Sequence, residues 1–162
     1  MQAIGGRDVK NWTSKIAVAA AATIMLGSAV FAGDGATPDQ AIAMVKKAMA
    51  FVKANGADKS YAEFDNKTGQ FVDRDLYVVV YSLDGKVLAH GANEKLIGKD
   101  MLDAQDVDGK PYIKERIEMT NKEPNGFWQD YKFVNPTTKK VEPKQMYCQK
   151  LDNTSICAGV YK

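Results

Sequence analysis

The sequence lacks the residues and motifs on which most metal, cofactor and catalytic sites are built. Its 162 residues include one histidine and two cysteines, too few for the usual kind of structural zinc site. It contains no P-loop, no GxGxxG and no CxxCH, so it offers neither these phosphate-binding loops nor covalent c-type haem attachment. Asp103, Asp106 and Asp108 do not keep the EF-hand spacing with Gly109. We therefore expect no metal, no cofactor and no catalytic residues, and an enzyme is the weaker hypothesis.

Net charge is nearly absent outside the N-terminus. Three basic residues and one acidic residue lie in the first 32 positions, which leaves 19 of the 22 basic and 19 of the 20 acidic side chains for the remainder. A neutral domain has no general electrostatic attraction for nucleic acid or for an anionic membrane. The composition therefore argues against a nucleic-acid partner, and the length leaves room for one ordinary domain.

The longest apolar run is too short to span a bilayer. It covers residues 16–30, about 15 residues, whereas a spanning helix needs roughly 20. Basic residues precede it and the small residues around Ala32 follow it, which is the pattern of a secretory signal peptide. We predict a signal peptide over 1–32, cleaved after Ala32, and a soluble periplasmic or secreted domain over 33–162. The alternative is an uncleaved anchor.

The residues after the apolar run predict a long amphipathic helix and a hairpin. Thr37, Pro38 and Gln40 form a helix start with a capping box. Apolar residues then recur at spacings of three and four, so the helix is expected over 38–54. Residues 75–83 are rich in β-branched and aromatic side chains, and the dipeptide at 84–85 is typical of a tight turn into a returning strand over 86–90.

The second half predicts one more helix and three more strands. A loop over 91–111 leads to a helix over 112–120, and strands follow over 127–134, 141–151 and 155–161. The order of helix, hairpin, helix and three-stranded meander is that of an α+β domain with a five-stranded antiparallel sheet.

Four segments of this pattern resemble single-Cache (type 2) extracellular sensor domains. They are the hairpin Tyr77–His90, the segment Leu96–Asp100, the entry to the middle helix Asp106–Tyr112, and Gly126–Pro136 followed by Lys144 and Tyr147. The resemblance covers about 37–162 in the family's order. The chain departs from it at the last turn, where many members carry tryptophan and this sequence has Asp152–Ser155 followed by Cys157.

The resemblance implies a fold, a ligand class and a partner. The fold is a PAS-like (Cache) sheet with the long N-terminal helix on one face, and with a short helix and loop layer and a small-ligand pocket on the other. Family ligands are often small organic anions such as acetate, propionate, pyruvate or lactate. Most relatives are the outer part of membrane chemoreceptors or histidine kinases, so a sensor of this kind is expected to signal through a separate membrane partner. The alternative is a scavenging or delivery protein.

A carboxylate pocket needs a cation, one or two hydroxyl or imidazole donors, and apolar walls. The candidates for ligand binding are Tyr131, Lys132, Lys144, His90, Tyr147, Trp128, Tyr81 and Tyr112. Lys132 is the expected cation and Lys144 its alternative. Strand alternation places Trp128 and Lys132 on one face and Tyr131 on the other, and it separates Lys144 from Tyr147.

Each candidate also has a structural interpretation. Buried tyrosines can be core residues, strand lysines are usually solvated, and a histidine that ends a strand is often structural. An enzyme would turn a substrate over and have a perturbed His90, whereas an interaction protein would show an exposed apolar patch and no response to small ligands.

The two cysteines are placed to form a disulfide across the last hairpin. If Asp152 and Asn153 are the turn residues, counting outward sets Cys148 opposite Cys157. Directly opposed strand residues are nearly close enough for a bridge, and an exported protein meets an oxidising compartment. The alternative is two buried thiols separated by a bulge.

We predict that export removes residues 1–32, because that segment has the three parts of a signal peptide. Intact-mass analysis of the protein from its native compartment should give a chain that begins at Gly33. Retention of Met1 would instead indicate an anchor.

Overall fold

The computed structural model describes residues 35–162, and the predicted signal peptide lies outside them. Three α-helices, a 3₁₀ turn and six strands form the domain. The helices are α1 (Pro38–Asn55), α2 (Ala57–Phe64) and α3 (Tyr112–Lys122), and the 3₁₀ turn is Glu94–Leu96. None of these helices has the length and apolar composition that crossing a membrane requires.

The predicted start and stop signals of α1 are confirmed. The Thr37 hydroxyl accepts from the Gln40 N–H at 3.3 Å, and the Gln40 side chain accepts from the Thr37 N–H at 2.9 Å. The helix ends at Gly56, whose φ of 80° favours glycine. The buried residues of α1 are Ala41, Val45 and Ala48. The two alanines each lie one position before an apolar residue of the predicted stripe. They are buried because their small side chains let the helix approach the sheet closely.

The sheet is antiparallel throughout, as predicted. Its strands are β1 (Val72–Asp73), β2 (Leu76–Ser82), β3 (Val87–His90), β4 (Phe127–Val134), β5 (Val141–Leu151) and β6 (Thr154–Tyr161). The predicted five strands lie in the order β3-β2-β6-β5-β4, and the unpredicted two-residue β1 also pairs with β2. The hairpin β2–β3 therefore joins the meander through β2 and β6.

Side-chain alternation gives the sheet two different faces. One face packs Val78, Val80 and Ile156 against α1 and α2 in an apolar core. The other packs Val79, Met146 and several tyrosines against α3 and its neighbouring loop. The predicted arrangement, with the long helix on one face and a helix and loop layer on the other, is confirmed.

The hairpin β5–β6 has the predicted register and the predicted disulfide. Leu151 pairs with Thr154, and Cys148 pairs with Cys157. The two cysteines are bonded, with their Cα atoms 4.2 Å apart, and both are fully buried. The bridge therefore fixes the register of these two strands, and it uses both cysteines of the sequence.

Loss of the disulfide should lower the free energy of unfolding by roughly 2–3 kcal/mol, because a closed loop of about ten residues restricts the unfolded chain by that amount. Urea denaturation with and without reductant measures the difference, and the variant with both Cys148→Ala and Cys157→Ala should not respond to reductant. Two titratable thiols in the unfolded, unreduced wild type would contradict the bridge.

Candidate ligand-binding site

A buried arginine lies at the centre of the face covered by α3. Arg116 shares the inward side of that helix with Ile113 and Thr120, at helical spacings of three and four, and its exposed fraction is 0%. Its Nε donates to the Gln129 side chain at 3.0 Å. Its two terminal nitrogens, Nη1 and Nη2, have no hydrogen-bond partner within residues 35–162.

Aromatic rings surround the Arg116 guanidinium. The ring centroids of Tyr81, Tyr112 and Tyr131 lie 5.2, 5.5 and 4.8 Å from its central carbon. Burial raises the pKa of the Tyr81 and Tyr131 phenols, and the arginine charge opposes this rise. The phenols of Tyr81 and Tyr131 lie close enough to interact with the guanidinium, but neither is aligned for a hydrogen bond from Nη1 or Nη2. A phenol that rotated into line would satisfy one nitrogen and would leave the charge of the arginine uncancelled.

Gln129 fixes the orientation of the arginine. Its Nε2 donates to the Tyr112 backbone carbonyl at 2.9 Å, which leaves its oxygen facing Arg116. Its Nε2 also lies 3.4 Å from a Glu115 oxygen, but that carboxylate makes its ion pair with Lys110 at 3.2 Å. Within residues 35–162, no carboxylate lies within ion-pair distance of Arg116.

A second buried cation, Lys144, lies on the same face. Its exposed fraction is 1%, and its Nζ donates to the hydroxyls of Tyr77 at 2.8 Å and Tyr161 at 3.2 Å. It has no carboxylate partner in the described part of the chain. Burial lowers the pKa of Lys144 well below its ordinary value, and the charge of Arg116 lowers it further.

Gly159 provides the space for the lysine side chain. A Cβ at this position would lie 2.9 Å from Lys144 Cε and 2.8 Å from the Gln145 backbone oxygen. Real Cβ atoms do not approach other atoms so closely, so a larger residue would displace either the lysine or the backbone. The absence of a side chain at 159 therefore lets Lys144 reach Tyr77.

His90 forms a neutral wall of the site. Its exposed fraction is 2%, its ring stacks on Tyr77 at 5.1 Å, and its Nδ1 accepts from the N–H groups of Ala92 and Asn93 at 3.3 and 3.0 Å. Burial, with a further contribution from the Lys144 charge, lowers the pKa of His90 to about 3. The imidazole is therefore uncharged at neutral pH.

Stacked aromatic rings connect the two cations. Tyr112 stacks on Tyr131 at 4.8 Å, and Phe133 lies 5.9 Å from Tyr131 and 6.4 Å from His90. Burial raises the pKa of Tyr112 to about 12, so this phenol is a neutral hydrogen-bonding group at physiological pH. The resulting layer excludes water from both cations.

A small depression reaches this layer from solvent. It has a volume of about 120 Å³ and is lined by Tyr112 and Phe133 together with Val107, Val134 and Val141. These three valines are also the large apolar side chains that the described residues expose. A larger groove of about 690 Å³ lies at the start of α1 and shares only Tyr161 with the site residues above.

The arrangement is chemically suited to holding an anion. It presents a buried guanidinium, a buried lysine amine and neutral phenols, and no carboxylate of residues 35–162 pairs with either basic side chain. The same residues contain no cluster of three or more His, Cys, Asp or Glu side chains that could hold a metal ion.

The structure brings five of the eight predicted site residues together. They are Tyr131, Lys144, His90, Tyr81 and Tyr112, and their roles as ligand contacts remain predictions. Which of the two lysines contacts a ligand remains a prediction, but Lys144 is buried. The Lys132 side chain is 42% exposed and pairs with Asp108 at 2.8 Å. It follows Tyr131 in a regular strand and so points to the other side of the sheet.

Trp128 and Tyr147 also lie away from the cations. Their rings are 5.1 Å apart, and both pack with the core on the α1 face. Tyr147 is three positions from Lys144 in β5 and therefore has the opposite orientation, as the sequence predicted. These two residues therefore contribute to the packing of the sheet on α1.

Sequence reasoning missed Arg116, Gln129 and Tyr161 as site residues. The signal for Arg116 is its position three residues after Ile113 and four before Thr120, which places it on the same side of the predicted helix as those residues. Tyr161 pairs with Lys144 across the β5–β6 hairpin, a contact that the predicted register already contained.

We expect the free energy of unfolding to fall as the pH is lowered from 6.5 to 5. The unfolded chain then protonates His90 at its ordinary pKa of 6.5, whereas the folded protein does not until the pH approaches about 3. The loss is about 1.4 kcal/mol per pH unit, or roughly 2 kcal/mol over this range. Urea denaturation at both pH values measures it.

The control for this experiment is His90→Asn. Its side-chain oxygen can still accept from the N–H groups of Ala92 and Asn93, but it does not titrate. The variant should lose less stability than the wild type over the same pH range, and identical pH dependences would contradict a neutral buried His90.

Structural comparison shows that the fold is that of known sensor domains. The chain superposes with a TM-score of 0.64 on a methyl-accepting chemotaxis protein from Vibrio parahaemolyticus RIMD 2210633, at 23% identity over 76% of this chain and 86% of that one. A Cache chemosensory domain, whose structure is described as a structural basis for carboxylic acid recognition, also gives 0.64, at 19% identity over 76% and 91%. A periplasmic sensor domain of a chemotaxis protein gives 0.61, at 18% identity over 76% and 88%.

Sequence comparison identifies the family. A search of curated proteins gave no match. The family model described as Single Cache domain 2 matches residues 10–161, which is nearly the whole chain and contains every element of the fold described above. This chain therefore belongs to the single Cache domain 2 family.

Proposed function

We propose that this protein is an exported sensor domain that binds a small carboxylate on the α3 face of its sheet, with Arg116 as the group that receives the carboxylate. The observation that carries the proposal is the pair of nitrogens on a fully buried guanidinium that have no partner within residues 35–162. Arginine cannot lose its proton in a protein, so only an anion can balance this charge.

The energetics favour occupancy by an anion. A buried charge without a partner costs several kcal/mol, and a buried polar group without a hydrogen bond costs about 1–3 kcal/mol. The rings of Tyr81, Tyr112 and Tyr131 offset part of this cost through cation–π contacts, about 0.5–2 kcal/mol each. A carboxylate could accept from Nη1 and Nη2 together, a geometry that matches the planar guanidinium.

The size and polarity of the surroundings favour a small acid. The rings of Tyr112, Tyr131 and Phe133 pack 4.8–6.3 Å from one another, and the depression lined by Tyr112 and Phe133 has a volume of only about 120 Å³. The phenols can orient a hydroxyl or keto oxygen. Acetate, propionate, pyruvate and lactate are therefore the ligands to test, in agreement with the carboxylic acid recognition described for one Cache chemosensory domain of the same fold.

The family supports a role in signalling across a membrane. Structural neighbours of this chain include sensor domains of chemotaxis proteins. With residues 1–32 removed as a signal peptide, the domain would act in the periplasm and pass its signal to a separate membrane histidine kinase or chemoreceptor.

A thermal-shift screen tests this function. At least one of the four acids, at about 100 times its dissociation constant, should stabilise the protein by about 2.7 kcal/mol. Arg116→Met should reduce this stabilisation to about 1 kcal/mol or less at the same acid concentration, because it removes a buried charge-assisted contact worth roughly 2 kcal/mol or more. Lys53→Met is the control, since it removes an exposed lysine of α1, which packs on the opposite face of the sheet.

Two results would contradict the proposal. The first is the absence of a shift with all four acids. The second is a shift in Arg116→Met equal to that of the wild type. Circular dichroism of the variant establishes that it is folded, and we expect it to be, because a methionine among these rings removes an unbalanced charge.

A further inference from the structure

We infer that ligand binding at this site takes up one proton, which Lys144 Nζ receives, so that the lysine is neutral in the empty site and an ammonium in the occupied one. The inference rests on the proposed function and adds that one proton is bound by the protein together with the carboxylate. It follows from a difference in hydrogen bonding between the two buried basic side chains, Lys144 and Arg116.

Lys144 has its hydrogen bonds satisfied by neutral groups. Its Nζ contacts the phenol oxygens of Tyr77 and Tyr161 at 2.8 and 3.2 Å, and the two phenol oxygens are 3.3 Å apart. A neutral amine can make these contacts, because it has two N–H donors and one lone pair for two hydroxyls. Arg116, in contrast, keeps its charge and has two nitrogens without partners among the described residues.

The charged and titratable groups that face Lys144 leave it without a counter-ion in the described part of the chain. From the strands and helix packed around it these groups are Asp75 just before β2, Tyr77 of β2, His90 of β3, Arg116 of α3, Tyr131 of β4, Glu142 of its own strand, and Tyr161 of β6. The two carboxylates are committed elsewhere. Asp75 accepts from the Ala36 N–H at 2.9 Å, and Glu142 accepts from Asn135 and Thr138 at 2.7 and 2.6 Å.

These groups disfavour a charged lysine in the empty site. Burial has the largest effect and lowers the pKa of Lys144, Arg116 lowers it further, and Asp75 raises it. Protonating Lys144 in the empty site would place two like charges in one water-excluded cluster. The rings of Tyr77, Tyr161 and Phe133, at 4.1, 4.6 and 5.9 Å from Nζ, offset only part of that cost.

A bound carboxylate reverses the balance. Its negative charge cancels the repulsion from Arg116 and attracts a proton to Nζ, so the pKa of Lys144 rises on binding. The proton comes from solvent or buffer, and a new N–H bond forms on the lysine lone pair. In the pH range between the empty-site and occupied-site pKa values, binding weakens up to tenfold for each unit by which the pH is raised.

Calorimetry in two buffers measures this proton. The probe is whichever of acetate, propionate, pyruvate and lactate gives the largest thermal shift, titrated at pH 8 in Tris and in HEPES, whose ionisation enthalpies differ. The wild-type binding enthalpy should differ between buffers by an amount that corresponds to uptake of about one proton. Lys144→Met should show no buffer dependence, whereas Lys53→Met, on the opposite face of the sheet, should retain it.

A second measurement reads Lys144 without any ligand. In NMR spectra of protein with ¹³C-labelled lysine, one Cε resonance, absent from Lys144→Met, should titrate below all the others in the empty protein. Saturation with the probe acid should move that titration to higher pH.

The outcomes separate this inference from the function on which it rests. If none of the four acids binds, the proposed function fails and this inference fails with it. If an acid binds without proton uptake, or the Lys144 resonance titrates with the surface lysines, the inference fails and the carboxylate site stands. Tighter binding of malonate or succinate without proton uptake would also overturn it, because Lys144 would then be charged in the empty site.

Discussion

The burial of the Arg116 guanidinium is the constraint to which the rest of the α3 face responds. A charge in that position needs an orienting acceptor, a polarisable wall and exclusion of water, and the structure provides these as Gln129, three tyrosine rings and the helix itself. Such a group weakens the fold of the empty protein. The stability must therefore come largely from elsewhere, and the opposite face supplies it as an apolar core between the sheet and α1.

The β5–β6 hairpin links that stability to the site. The same register that bonds Cys148 to Cys157 places Lys144 opposite Tyr161, four pairs further along. A slip of one residue would turn every side chain of a strand to the other face and would remove Lys144 from the site. The disulfide thus holds the geometry of the cation as well as the strands, and Gly159 keeps the path between them free.

Most of the fold was predictable, because local periodicity decides it. The capping box of α1, the alternation of β2 and the turn at Asp152 each act over a few residues, and the structure agrees with them within one or two positions. The two-residue strand β1 was missed because so short a segment has no periodicity. The order of the strands was not predicted, since local pattern does not show that β6 lies between β2 and β5.

The site was less predictable because it depends on that strand order. Alternation separated Tyr131 from Lys132 correctly but could not tell which of them lies beneath α3. Lys132 is also held at the sheet edge by the preceding loop, where Asp106 accepts from its backbone N–H at 3.0 Å and Asp108 pairs with its ammonium. Arg116 was overlooked because a charge on an apolar stripe is normally a sign that the stripe has been placed wrongly.

The closed aromatic layer has a consequence for the speed of sensing. Because the guanidinium of Arg116 is fully buried, the carboxylate proposed above would reach it only after part of the surrounding layer had moved. Association is then limited by how often the layer opens, and its observed rate levels off as the ligand concentration rises. A domain built in this way averages rapid fluctuations of its ligand and responds to concentrations that persist longer than one opening.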